Sequence, residues 1–231
     1  MQLAGYRNIV ILTGAGISQA AGLPTYRGAG GLWSDPELAK LTDTTALTTH
    51  RAEACGMFWK FRRAIAGVAP TAAHRALAAF ERALPASASF LVVTQNVDGL
   101  HQRAGSQRVC EYHGTLTRWH CEVCTTELEP PDGDVPSHCG QLMRPSAVLF
   151  GELIPPEAER AAKVALRHCD LFVAIGTSGT VWPAASFVRW AELNGARRIL
   201  VNLEIDDDAR EAYAECHAGT ADELVPRLFA L

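Results

Sequence analysis

Apolar residues fall in two alternating patterns along this chain. Short unbroken runs rich in β-branched residues read as buried strands: "NIVIL" from Asn8, "FLVVT" from Phe90, "DLFVAIG" from Asp170 and "RRILVN" from Arg197. Between them lie stretches with apolar residues at helical spacing. These are Asp35 to about Gly67 with "MFWKFRRAI" at its centre, "AAHRALAAFERAL" opened by Pro70 and Thr71, "PPEAERAAKVALRH", and "PAASFVRWAELNG". A last helix begins at "TADE", where Thr220 is placed to cap and Glu223 to reach back as a capping box. Strands alternating with helices predict an α/β fold, a parallel sheet with helices on both faces. Two stretches break the pattern. Residues 23–34 are glycine-rich and read as a loop. The segment from about Thr117 to Arg144 is rich in Pro, Cys, Asp and His and has little periodicity. It reads as a small insert held by something other than a core.

Composition narrows the class. The 231 residues are 48% apolar and 20% charged, which suits a soluble globular protein of one large domain, or one domain with a small insert. The net charge of −4, without blocks of one sign, argues against a nucleic-acid binder. No apolar run approaches the roughly 20 residues of a membrane span. The N-terminus has one basic residue, Arg7, before the first strand and does not resemble a signal peptide. Of seven cysteines only Cys121 and Cys124 lie close in sequence, so a disulfide framework is not expected and a cytoplasmic setting is.

The first candidate site is "VILTGAGISQAAG", a strand, a glycine turn and a helix. Gly14 and Gly16 would let the backbone approach a pyrophosphate at the helix N-terminus. Gln19 stands where a third fingerprint glycine would fall, and an ordinary tight turn explains the same residues. Three further loops follow strands: "TQNVDGLH" (Thr94 to His101), "GTS" (Gly176 to Ser178) and "NLE" (Asn202 to Glu204). In an open α/β sheet the ligand crevice lies outside those strand ends. Thr177 and Ser178 could donate to phosphate there, and Glu204 could hold a ribose hydroxyl. Each loop alone is plain turn chemistry, but their joint placement is not.

The ordered set "GAGISQAAGLPTYRGAGGLW", "TQNVDGLHQRAG", "EYHG", "RPSAVLFGE", "GTSGTVWP" and "NLE" closely resembles the sirtuins (the Sir2 family, here of bacterial type), which are NAD-dependent protein lysine deacylases. The resemblance runs from about Asn8 to Leu224. It implies a Rossmann-like NAD-binding domain (1–33, 68–116 and 145–231) and a smaller domain (34–67 and 117–144) with a helical module and a zinc-ribbon-like one. His113 matches the catalytic histidine, which takes a proton from a ribose hydroxyl. Asn96 matches the residue that positions the nicotinamide ribose and a water, and Asp98 the one that reads the carboxamide. Arg27 matches a residue that contacts NAD, and Tyr26 replaces the more usual Phe. The implied NAD set also takes in Ala15, Ile17, Thr25, Gln95, Val97, Leu203 and Ala221. In the family mechanism the acyl oxygen attacks the anomeric carbon and nicotinamide leaves. The histidine then helps a ribose hydroxyl attack the imidate, giving free lysine and O-acyl-ADP-ribose. The acyl-lysine peptide is expected to add as a strand along Val148, Leu149, Phe150, Gly151 and Glu152.

Two points stay open on the sequence. In sirtuins that remove succinyl or malonyl groups a Tyr-x-x-Arg pair holds the distal carboxylate. Here "FWKFRR" aligns Trp59 and Arg62 with that pair, so dicarboxyl-acyl removal stands beside plain deacetylation. Trp59 as helical core and Arg62 as a solvated charge explain the same residues. Most sirtuins also carry a four-cysteine structural zinc. Cys121, Cys124 and Cys139 match three ligands, while Pro136 falls at the fourth. A two-residue deletion would place His138 there, and His120 and Asp134 are other candidates. A metal-free insert packed on Trp119, Leu128 and Leu142 is the alternative. Two rival functions remain, an NAD-dependent mono-ADP-ribosyltransferase and a non-catalytic NAD sensor. No nucleic-acid or membrane partner is expected.

Overall fold

The computed structural model describes residues 3–24 and 35–230. Six strands form one parallel sheet: β1 (Asn8–Thr13), β2 (Ser89–Thr94), β3 (Val109–Glu111), β4 (Leu171–Ile175), β5 (Arg197–Asn202) and β6 (Glu215–Ala218). Their spatial order is β3-β2-β1-β4-β5-β6, the doubly wound order of dinucleotide-binding sheets. The chain therefore reverses its direction of growth between β1 and β4, and the loops after those two strands face each other.

Strand parity builds a core on each face. Ile9 and Ile11 of β1, with Phe90, Val92, Val173 and Val201, pack under the Ala72–Ala83 and Ala221–Leu228 helices through Leu77, Phe80 and Val225. Val10 and Leu12, with Val93, Phe172 and Leu200, pack under the Pro156–His168 and Phe187–Leu193 helices through Leu166 and Phe187. A third core stands apart from the sheet. In it Met57, Phe58 and Trp59 of the Arg51–Ala66 helix meet Leu116, Trp119 and Met143. Trp119 lies on the Gly114–His120 strand, which pairs antiparallel with Glu127–Leu128 and Arg144–Ala147. The Trp59 and Trp119 rings meet edge to face at 5.2 Å.

Four sequence expectations change. β3 and β6, the two edges of the sheet, were not foreseen: "VCE" is too short to show a pattern, and "ECHA" is partly exposed and polar. The glycine turn feeds a seven-residue 3-10 helix, Ala15–Ala21, in place of an α-helix. Thr220 makes no side-chain cap. The capping box occurs instead at Thr71, whose hydroxyl oxygen accepts from the His74 N–H while His74 Nδ1 accepts from the Thr71 N–H.

Candidate active site

The loops after β1, β2, β4 and β5 converge on a cleft of about 1120 Å³ that continues to the third core. Gly14, Ala15, Gly16, Gln95, Asn96, Val97, His113, Gly176, Thr177, Ser178, Asn202, Leu203 and Glu204 line it, as expected. So do Val148, Leu149, Phe150, Gly151 and Glu152. Ile17, Asp98 and Ala221 stand behind the wall: Ile17 and Ala221 belong to the first core, and Asp98 is buried. Thr25, Tyr26 and Arg27 lie outside the described residues.

The glycines serve the protein's own packing. A Cβ on Gly14 would fall 2.6 Å from the Gly176 carbonyl oxygen, and one on Gly16 would fall 2.6 Å from the Gly176 Cα. The Gly14 N–H donates to the Ile175 carbonyl at 3.0 Å and the Gly16 N–H to the Gly176 carbonyl at 2.9 Å. These two amides are thus engaged by the end of β4 and the first residue after it. These glycines are what lets two loops touch at the switch point. Gly176 itself sits at φ +60°, where a side chain is strained.

Behind the turn lies a polar cluster. Asn96 is 4% exposed, and its Nδ2 donates to the Gly14 carbonyl (3.1 Å) and to Ser18 Oγ (3.2 Å). Its Oδ1 is buried with no partner. An orphaned acceptor in the cleft floor costs about 1–3 kcal/mol unless a donor arrives, so it suits a hydroxyl or water brought in by a ligand. Ser18 donates to Asp98 Oδ2 at 2.7 Å, and the Leu100 N–H to Asp98 Oδ1 at 2.9 Å. Burial pushes the Asp98 carboxyl up, and these two bonds offset part of that rise. Ser18 escaped the sequence reading because a lone serine in a turn carries no pattern.

His113 contacts the Gln95 carbonyl through Nδ1 at 3.1 Å. A carbonyl only accepts, so Nδ1 carries the proton and Nε2 is left as a base. Burial holds the imidazole below its ordinary value, with the Gln95 contact pulling the other way. Gln95 also donates from Nε2 to Thr177 Oγ1 at 2.8 Å, which ties the β2 and β4 loops together.

Arg144, 5% exposed, grips Glu152 with Nη1 at 2.5 Å and Nη2 at 2.9 Å. Glu152 Oε2 also accepts from the Leu149 N–H at 2.7 Å. The N–H groups of Val148, Phe150 and Glu152 go to carbonyls of His113, Thr42 and Leu149. Four of the five N–H groups along 148–152 are therefore engaged within the chain, the Gly151 N–H being the exception.

Trp59 and Arg62 do not line the cleft. Trp59 Nε1 donates to the Gly133 carbonyl at 2.7 Å, and Arg62 Nη2 to the Pro130 carbonyl at 2.5 Å. The Arg62 guanidinium lies over the Trp59 ring, 4.7 Å from its centre. Both side chains brace the cysteine-containing insert. From that helix Met57, Phe58 and Phe61 reach the cleft instead. Their i, i+3 and i+4 spacing was legible, but it reads as core.

In the insert, ligating atoms of Cys121, Cys124, His138 and Cys139 all lie within 4.8 Å of one another. His138 Nδ1 is 3.3 Å from Cys124 Sγ and 3.2 Å from Cys139 Sγ. Tetrahedral zinc with bonds of about 2.0–2.3 Å sets ligand atoms roughly 3.5 Å apart, so three thiolates and one imidazole fit a structural zinc. His120 contacts Ser146 Oγ through Nδ1, and Asp134 is outside the cluster. The insert is also packed, since Trp119 is fully buried and Leu128 and Leu142 lean on the third core.

The model of the Sir2 family matches residues 14–183. An NAD-dependent protein deacylase of Pasteurella multocida is 40% identical over 231 residues, covering 96% of each chain. Its counterpart in Shewanella oneidensis is 42% identical over 234 residues, covering 96% of this chain and 93% of its own. A Sir2 homologue solved with NAD superposes with a TM-score of 0.87 at 32% identity, over 98% of this chain and 89% of the other. A Sir2 protein solved with a deacetylated p53 peptide and 3'-O-acetyl ADP-ribose gives 0.82 at 28% identity, over 99% and 97%. A family model that matches residues 14–183, with relatives at 40–42% identity over most of both chains, leaves one conclusion: this chain belongs to the Sir2 family.

Proposed function

We propose that the protein is an NAD-dependent protein lysine deacylase whose cleft lies between a Rossmann-like domain and a smaller one built on the third core. The observation that carries the reading is the pairing of two groups in one cleft: an imidazole held as a base at Nε2, and the orphaned, buried Oδ1 of Asn96. NAD would supply an anomeric carbon that loses nicotinamide to the attacking acyl oxygen, and a ribose hydroxyl that ends carrying the acyl group as the lysine amine is released. Asn96 Oδ1 accepts from a ribose hydroxyl or a water and fixes its place. His113 Nε2 takes the proton from a hydroxyl delivered to it, and Nδ1 keeps its own proton on the Gln95 carbonyl. Asp98 holds Ser18, and through it the amide of Asn96. The exposed carboxylate of Glu204 accepts from the second ribose, and Ser178 and Thr177 approach the phosphates. Apolar groups of the third core exclude water from the acyl-lysine.

Acyl-lysine proteins or peptides are the partners. None of the seven cysteines is in a disulfide, which supports a reducing compartment and hence the cytoplasm. Among the described residues no helix is long and apolar enough to cross a membrane. The test uses NAD labelled in the adenosine half with one acetyl-lysine peptide. Label in a small O-acetyl-ADP-ribose product, equimolar with free lysine, is expected. Label attached to protein, with the peptide still acetylated, would turn the assignment to ADP-ribosyl transfer.

A further inference from the structure

Four charged side chains of alternating sign run from the cleft into the cysteine-containing insert. Glu152 lines the cleft, and Arg144, outside the lining, holds both its carboxylate oxygens. Arg144 Nη1 also lies 3.7 Å from Glu122 Oε1. Glu122 stands between Cys121 and Cys124, and its Oε2 accepts from Arg51 Nη1 at 2.7 Å. Arg51 opens the Arg51–Ala66 helix and donates from Nε and Nη2 to the Leu142 carbonyl at 3.1 and 2.9 Å. A cation in a first helical turn faces the unfavourable end of the helix dipole, so Arg51 is placed there for its partners.

The Arg144 side chain is 6% exposed and that of Glu122 is 39% exposed. Besides Glu152, Arg144 donates from Nη2 to the Ala147 carbonyl at 2.9 Å and from Nε to the Pro145 carbonyl at 3.3 Å. Glu152 Oε2 in turn accepts from the Leu149 N–H at 2.7 Å. The guanidinium thus ties both ends of the 144–152 segment, and Val148, Leu149 and Phe150 face the cleft between them. Apolar residues of like volume would serve stability as well as a buried ion pair does. What the planar fork adds is direction: it fixes where Glu152 lies, and through it the Leu149 amide.

We propose that Arg144 is a positioning residue for the acyl-lysine peptide, acting through Glu152 on the 148–152 segment, and that Glu122 and Arg51 anchor it to the insert and the helix. The inference rests on the deacylase reading and adds no chemical step to it. A segment fixed in advance does not have to be ordered at each binding event. Leaving one backbone residue for the peptide to fix costs roughly tenfold in affinity.

The experiment measures kcat and KM for one acetyl-lysine peptide at saturating NAD, NAD affinity by calorimetry, and zinc per chain. The proteins are the wild type, Arg144→Lys, Glu122→Gln and the double variant. Lysine keeps the charge and loses the fork. Arg144→Lys should raise the peptide KM about tenfold, with kcat and NAD affinity within about twofold of the wild type. Glu122→Gln should raise KM about threefold, as suits a half-exposed ion pair, with zinc per chain unchanged. The double variant should match Arg144→Lys alone, because Glu122 acts only through Arg144. An unmoved KM in Arg144→Lys, parallel losses in KM, kcat and NAD affinity, or a Glu122→Gln effect that comes only with loss of zinc overturns the proposal. So does a double variant whose KM shows the product of the two single effects. Where Arg144→Lys fails to fold, an unmoved KM in Glu122→Gln is the refuting result. Wild-type turnover with KM unmoved in the variants sinks only this inference, and no turnover by the wild type sinks the deacylase reading with it.

Discussion

His74 and His101 are buried with their rings 4.6 Å apart, between the 3-10 turn and β2. His74 Nδ1 accepts from the Thr71 N–H, and Thr71 in turn donates to the Ile17 carbonyl. His101 Nε2 meets Thr13 Oγ1, which donates to Thr94 Oγ1, and that oxygen accepts from the Asn96 N–H. Both histidines must stay neutral to fit. Burial lowers His74 from 6.5 to about 4, and lowers His101 well below 6.5. The folded chain therefore binds these protons more weakly than the unfolded one. The stability this gives is complete above pH 6.5 and is lost as pH falls toward 4. Over the 1.5 pH units from 6.5 to 5.0 the unfolded chain holds a proton on His74 that the folded chain does not. At about 1.36 kcal/mol per unit, His74 alone removes about 2 kcal/mol of stability by pH 5.0. Urea unfolding at pH 7.5 and pH 5.0, on wild type and His74→Gln, isolates that share from the carboxylates. The wild type should lose about 2 kcal/mol more than the variant over this interval. An equal loss in both would refute the claim that His74 is held neutral by burial.

Other predictions follow from the glycine contact, the cysteine cluster and the imidazole. Gly176→Ala puts a Cβ 2.6 Å from the Ile17 nitrogen at a φ of +60°. It should cost about 1–3 kcal/mol in urea unfolding and weaken NAD binding measured by calorimetry, whereas wild-type values for both would contradict the packing. Protein prepared without a His-tag should hold one zinc per chain, and His138→Ala should lower zinc retention against a chelator while His120→Ala does not. Equal retention in the two variants would remove His138 from the ligand set. The acid limb of kcat/KM should have its midpoint below 6.5, because burial lowers His113 and only its neutral form serves as base. A midpoint above 6.5 would contradict that placement.

Much of this architecture is legible in the chain, and the lapses have physical causes. The four central strands are continuous apolar runs because both their faces are covered. β3 and β6 are edges, so "VCE" and "ECHA" need no such run and leave no trace. The converging loops were readable from their order after strands. What the sequence does not show is that Gly14 and Gly16 also pack against the loop after β4, since a glycine that approaches a phosphate and one that approaches another loop look alike in sequence. The Tyr-x-x-Arg position shows a second limit. Spacing put Trp59 and Arg62 on a helix, but only packing shows that the face they share is turned to the 130–133 loop. For the metal the sequence left four choices, and the fold brings one of them, His138, to the three thiolates.

The central claim is that acyl transfer needs NAD and the Nε2 base of His113. Nicotinamide release from NAD, followed with and without an acyl-lysine peptide, tests it most directly. The wild type should release nicotinamide only with the peptide and one for one with free lysine, and His113→Ala should bind NAD yet release no free lysine. Free lysine formed without NAD, or at the wild-type rate by His113→Ala, would contradict the account.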